Sequence, residues 1–180
     1  MPLVDAYIKC DELAGSYKPK ASDTKGASAQ LEQVSPHEGW SELYTLDYTL
    51  DETEFPRLKI TKPVDAISNN LYLLYLRKRS RDIQSTKADG DISIQKLKIE
   101  LCRWVDTNDD GVIDDFQVFL EYLFEDCRVV EYSTEIDCDA DDLPEETVSF
   151  AFRKMTMNYY HPNENASFNW DFTTLHGGSK

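Results

Sequence analysis

A chain of 180 residues has room for one domain with a proper hydrophobic core, or for one domain carrying a long insertion. With 41% apolar and 12% aromatic residues it holds enough side chain to offset the entropy of ordering the backbone, which excludes global disorder. Its 34 acidic against 19 basic side chains give a net charge of -15, which repels phosphate backbones and anionic lipid and argues against both as partners.

The start, Met1 to Lys9, lacks a basic segment followed by an apolar run, so no cleavable secretory signal is expected. No stretch reaches the ~20 consecutive apolar residues that a membrane-spanning helix needs. The expected location is therefore the cytoplasm, with any export using a route that reads no cleavable signal. Ala6, Ile8 and Cys10 alternate with Asp5, Tyr7 and Lys9 and predict a first strand. Residues 11–39 are poor in large apolar side chains and rich in Ser, Lys, Ala, Gly and Pro, the pattern of a long loop. A second strand places Tyr44, Leu46, Tyr48 and Leu50 on one face, and a short one follows at Leu58 to Ile60.

One helix interrupts the strands, over about residues 68–79. Ser68 is a suitable N-cap, and Leu71, Leu74, Tyr75 and Lys78 fall on one side, with Leu73 and Leu76 widening the apolar surface. Lys78, Arg79 and Arg81 gather at the far end, where cations complement the helix dipole. Strands resume with Leu97, Ile99 and Leu101 on one face. A long alternating face of Phe116, Val118, Leu120, Tyr122 and Phe124 follows, and then Val148, Phe150 and Phe152 form the last strand. A polar tail begins at about 161, with Phe168, Trp170 and Phe172 as docking points. The pattern is that of one domain over residues 1–180, mainly β with one helix.

Between two of these strands, Asp106-Thr107-Asn108-Asp109-Asp110-Gly111-Val112-Ile113-Asp114 matches the first half of an EF-hand loop. Asp106, Asn108, Asp110, the Val112 carbonyl and Asp114 are the candidate calcium oxygens. Gln117 stands where the bidentate carboxylate belongs, and the flanks alternate as strands, so a solvated acidic hairpin turn is favoured over a weak calcium site. Cys10, Cys102, Cys127 and Cys138 form no Cys-x-x-Cys pair, and His37, His161 and His176 have no ligand spacing; free thiols and no zinc site are expected. No nucleophile elbow, phosphate loop or metalloprotease motif occurs, so catalytic residues and cofactors are expected to be absent.

Several segments in order resemble a known family. Leu58-Lys59-Ile60-Thr61-Lys62-Pro63-Val64-Asp65-Ala66-Ile67-Ser68 resembles a strand followed by Thr-Lys-x-x-Asp-x-x-Ser opening a single helix. Ile99-Glu100-Leu101-Cys102-Arg103, the run from Phe119 to Cys127, and the run from Glu145 to Met155 resemble the later strands. His37-Glu38-Gly39-Trp40 and Asn169-Trp170-Asp171 also fit. Together, over about residues 3–172, they resemble the haemolysin-coregulated protein (Hcp) family of bacterial type VI secretion. Residues 11–36 are longer than usual for that family, and the acidic 106–115 turn is not general in it.

The resemblance implies a small β-barrel or two packed antiparallel sheets with one helix, related to phage tail-tube proteins. It implies a non-enzymatic subunit of hexameric rings that stack into a secreted tube. Its partners would be further copies of itself, the sheath, baseplate and spike, and small effectors in the lumen. A tail-tube subunit of a phage or other contractile injection system, and a monomeric calcium-binding β module, are the alternatives.

Overall fold

The computed structural model of the chain describes residues 4–10, 13, 15, 37–49, 56–84, 93–105, 115–137, 143–161 and 164–179, the side chains of 78–84 and 115 excepted. Among these residues the chain is mainly strand, with one helix, and every strand pairing is antiparallel. Alternation begins it: β1 (Val4–Cys10) buries Ile8 and Cys10 on one face, as the period of two requires. Tyr7, on the opposite face, is also buried, so β1 is covered from both sides.

The second strand expected from Tyr44 onward is β3 (Thr45–Thr49), and a separate short strand, β2 (Ser41–Leu43), precedes it. β2 pairs with β1, whereas β3 pairs with β4 (Arg57–Pro63). The switch falls at Tyr44, whose N–H donates to the Thr61 carbonyl at 2.9 Å and whose ring is exposed.

After the helix α1 (Ser68–Gln84) come β5 (Ile94–Val105) and β6 (Asp115–Glu135). The chain ends in β7 (Glu145–Ala151), β8 (Lys154–His161), β9 (Glu164–Asp171) and β10 (His176–Ser179). The larger leaf runs β10-β9-β8-β6-β5-β1-β2, and the smaller runs β3-β4-β7-β6. β6 serves both: its first part pairs with β5 and β8, and Arg128–Glu135 pairs with β7. The corner is Asp126, a non-glycine residue at φ 55, and Arg153 holds its carboxylate at 2.8 Å.

The core lies between the leaves and under α1. Leu58, Ile60, Leu97, Ile99, Phe124, Val148 and Phe150 are buried there with Ile67, just before the helix, and Leu71 within it. Burial of each large side chain contributes ~1.5–3 kcal/mol.

Five expectations need correction. Ser68 is not the N-cap: Asp65 is, its Oδ1 accepting the Ile67 N–H at 3.2 Å while Ser68 Oγ accepts the Asp65 N–H at 2.8 Å. This is a reciprocal capping box, in which the serine supplies the second half. The helix also runs to Gln84, beyond the expected end near 79.

Leu73 and Leu76 do not widen the core face but are exposed on the opposite side. The face expected to run from Phe116 to Phe124 is split by a bulge, since Leu101 pairs with Leu120 but Cys102 pairs with Val118. The extra residue inverts the alternation. Phe124 therefore enters the core with Tyr122 against it, while Phe116 and Val118 pack with Tyr7, Trp40 and Cys102 on the far face of the larger leaf. Finally, Phe152 does not end the strands, because β8, β9 and β10 follow and the polar residues from 164 onward pair as strands.

Candidate assembly surfaces and the networks that hold them

Lys62 and Glu146 stand opposite each other in the β4–β7 ladder, and both side chains are 0% exposed. Lys62 Nζ donates to Glu146 Oε1 at 2.8 Å, to Asp65 Oδ1 at 2.6 Å and to the Pro63 carbonyl at 2.7 Å. Ser68 Oγ donates to Glu146 Oε1 at 2.9 Å, and the Tyr132 hydroxyl donates to Glu146 Oε2. Ser41 Oγ closes the group on Asp65 Oδ2 at 2.5 Å. A buried ammonium is tolerable only when its protons are satisfied, and here two carboxylates and a carbonyl take them. The network ties β2, β4, β6 and β7 to the first turn of α1 and so fixes where the helix sits. Burial, then the neighbouring Glu146 carboxylate, pushes the Tyr132 hydroxyl up to about 12.

On the far face of the larger leaf, the turn from His37 to Trp40 folds down over β1 and β5. His37 is fully buried, stacks on Tyr7 at 4.3 Å, and its Nε2 lies 2.7 Å from Glu100 Oε2. Lys98 Nζ bridges Glu100 and Glu121 at 2.6 Å each, Asn158 donates to Glu121 at 2.6 Å, and Ser167 donates to Asn158 at 2.7 Å. Tyr7, Glu100, Glu121, Asn158 and Ser167 are successive partners across five strands, so this face carries one continuous polar row. Gly15 packs against the same turn, donating its N–H to the Gly39 carbonyl at 2.6 Å. The expected 11–39 loop otherwise lies largely outside the described residues, but its two ends meet here.

Burial alone would raise the Glu100 carboxyl, but hydrogen bonds from His37 and Lys98 outweigh it and hold it below the usual carboxylate range. A folded-state pKa below the unfolded one contributes stability that is present above the ordinary value of 4.5 and is lost as pH falls through the folded pKa. Urea midpoints measured from pH 7 down to 3 are therefore expected to fall. Glu100→Gln is expected to be less stable at pH 7 and to show a shallower acid slope; an unchanged slope would remove Glu100 from the acid response.

Two margins of the sheets are open among the described residues. β10 pairs only with β9, β2 only with β1, and β3 only with β4. Such edges offer unpaired N–H and C=O groups to another chain. Exposed apolar side chains lie at Tyr72, Leu73 and Leu76 on α1, and at Val64, Ile136 and Leu143 near its start. Phe168 is part of β9, and Trp170 and Phe172 are half-buried, Phe172 packing on Phe152 at 5.7 Å. Of the three docking points expected in the tail, only Phe172 reaches the core.

The candidate calcium residues Asp106, Asn108, Asp110, Val112 and Asp114 lie outside the described residues. Strands β5 and β6 flank them, with no helix on either side. Cys10, Cys102 and Cys127 are buried free thiols; burial pushes the Cys102 thiol up to about 12 and the Cys127 thiol up as well, so both resist ionisation. Cys138 lies outside the described residues. Among the described residues, no group of three or more His, Cys, Asp or Glu side chains is placed to hold a metal ion, and no helix is long and apolar enough to cross a membrane.

The arrangement defines an antiparallel β unit of two leaves, with one helix locked on by a buried ion pair and, at its margins, strands whose outer edges have no partner strand among the described residues. The chain belongs to the family described as type VI secretion system effector, Hcp, whose model matches residues 32–159; these are structural tube proteins, not enzymes. Solved structures with the same fold include Hcp1 of Salmonella typhimurium, at 15% identity and TM-score 0.71, covering 97% of this chain and 99% of that one. A type VI secretion system effector from Yersinia pestis matches at 16% identity and TM-score 0.61, over 93% and 99% of the two chains. The secreted protein Hcp3 of Pseudomonas aeruginosa matches at 14% identity and TM-score 0.56, over 100% and 97%. Comparison with curated protein sequences gives no match.

Proposed function

We propose that the whole chain acts as one structural unit of the type VI secretion inner tube, assembling into hexameric rings that stack and are fired from the cell. Family membership makes it a tube protein. The observation that carries the finer reading is the pair of open margins, β10 at one end of the larger leaf and β2–β3 at the other. A ring joins one margin to the other in the next copy and so removes the hazard of exposed strand edges. Export then proceeds through the machine itself. Sheath, baseplate and spike components would meet the outside and ends of the tube, and small effectors the lumen. A net charge of -15 makes the rings repel one another.

Light scattering after size exclusion, with negative-stain microscopy of the main peak, tests this reading. Rings of six are expected, and a monomer at every concentration would overturn it. Raising salt from about 0.01 M to about 1 M shortens the screening length from about 30 Å to about 3 Å, so ring stacking is expected to strengthen. Tubes that form at low salt and dissociate at high salt would mean that attraction between opposite charges dominates the stack.

A further inference from the structure

The helix α1 has two apolar faces on opposite sides. Leu71, with Leu74 and Tyr75 beside it, meets the core, while Leu73 and Leu76 point away, at 42% and 39% exposure; Tyr72, 47% exposed, lies between the two faces with its ring 5.1 Å from that of Tyr132. A helix that covers a core needs only the first face. Arg77 is exposed next to the outer one, and Lys78, Arg79 and Arg81 follow in the same helix, the densest run of positive charge in an acidic chain.

A complementary ledge stands at the other end of α1. Ile136 and Leu143 are 65% and 64% exposed, with exposed Val64 beside them, where the Val64 N–H donates to the Pro144 carbonyl at 2.8 Å. Exposed Glu135, Asp137 and Glu145 surround this apolar group, and Glu135 and Glu145 are direct partners in the β6–β7 ladder. Acid near a helix start and base near its end both suit the helix dipole. That accounts for the charges but leaves four large apolar side chains, Leu73, Leu76, Ile136 and Leu143, facing water on each copy. A helix of 17 residues is about 25 Å long, well beyond the screening length of about 8 Å at physiological salt, so one copy's basic end does not neutralise its own ledge.

We infer that the ledge formed by Ile136 and Leu143 of one copy seats on the outer face of α1 of the next copy, at Leu73, Leu76 and Arg77, with Tyr72 at its border. This rests on the self-assembly reading above and names a contact within it. Because the two patches differ, the contact is heterologous and propagates head to tail. Its apolar centre is insensitive to screening, so it is compatible with tubes that strengthen with salt, while the charges select which patch meets which.

The test uses the full chain in a Cys138→Ser background. Leu76→Cys and Ile136→Cys are made separately and treated with a short bis-maleimide, alone and mixed. The mixture is expected to give a covalent dimer in high yield, and each variant alone only traces. In parallel, Arg77→Glu and Asp137→Lys are each expected to raise the concentration for half-assembly about tenfold, and together to restore it. Both positions are exposed, and unchanged thermal unfolding of the isolated subunit checks the fold. If the unmodified chain forms rings but the mixture does not cross-link and the reversals assemble normally, the contact is wrong and the tube reading stands. If the unmodified chain never assembles, both fall.

Discussion

Lys62→Met is expected to lower the free energy of unfolding by ~3–5 kcal/mol, a large part of the stability of a small domain. The substitution removes the ammonium that faces Glu146 and Asp65, leaving carboxylates in a site where Glu146 is fully buried. Coulomb attraction of the pair is not the main loss. The larger cost is the desolvated charge left behind, which the remaining hydroxyls of Ser68 and Tyr132 cannot neutralise. Lys62→Met combined with Glu146→Leu is therefore expected to be more stable than Lys62→Met alone, because it removes the orphaned charge. Urea unfolding followed by far-ultraviolet circular dichroism reads both. A single variant within 1 kcal/mol of the parent would show that water reaches the site and that the network orients α1 without stabilising it.

The second large effect is expected at Gly15, where a Cβ would stand 2.3 Å from both the carbonyl carbon and oxygen of Trp40 and 2.6 Å from the Ser41 nitrogen. All three are backbone atoms, so no side-chain rotation relieves the overlap. Gly15→Ala is expected to cost ~1–3 kcal/mol and to lift the His37–Trp40 turn from β1 and β5. Trp40, only 9% exposed, then becomes accessible, and acrylamide quenching of tryptophan emission should rise. Gly178→Ala, with nothing within 4 Å of its added methyl, is the matched control and should change neither stability nor quenching. Equal behaviour of the two variants would mean that the chain at Gly15 is free to move away.

Strand alternation was legible along most of the chain because half-buried strands write their two faces into the sequence, as at Ile8, Leu97 and Val148. What the alternation could not reveal was a change of face within a run. Phe116 and Phe124 have the same parity, and only the bulge near Phe119 sends them to opposite sides of the leaf. The exposed Leu73 and Leu76 misled for a related reason: apolar residues all round a helix suggest a wide buried face, and nothing local says that one side meets water. The Thr61–Ser68 segment was readable as a helix opening. Its main partner, Glu146, is 84 positions away, and no spacing rule reaches that far. The tail from 164 onward is polar because β9 and β10 have little to bury, and their pairing comes from backbone hydrogen bonds that leave no hydrophobic signature.

β6 has a kinetic consequence. β1 can pair early with β2, and β3 with β4, but β1 meets β5 only about ninety positions later, and β4 meets β7 with a similar separation. Among the described residues β6 is the one strand that belongs to both leaves, so neither leaf can close until the ribosome has released it, and the smaller leaf needs β7 as well. Closing loops of that size comes before any reward from pairing, which places folding in the millisecond-to-second range typical of non-local β topologies. For most of its synthesis the nascent chain therefore carries strands that still lack a long-range partner, and its high negative charge keeps neighbouring nascent chains apart during that interval.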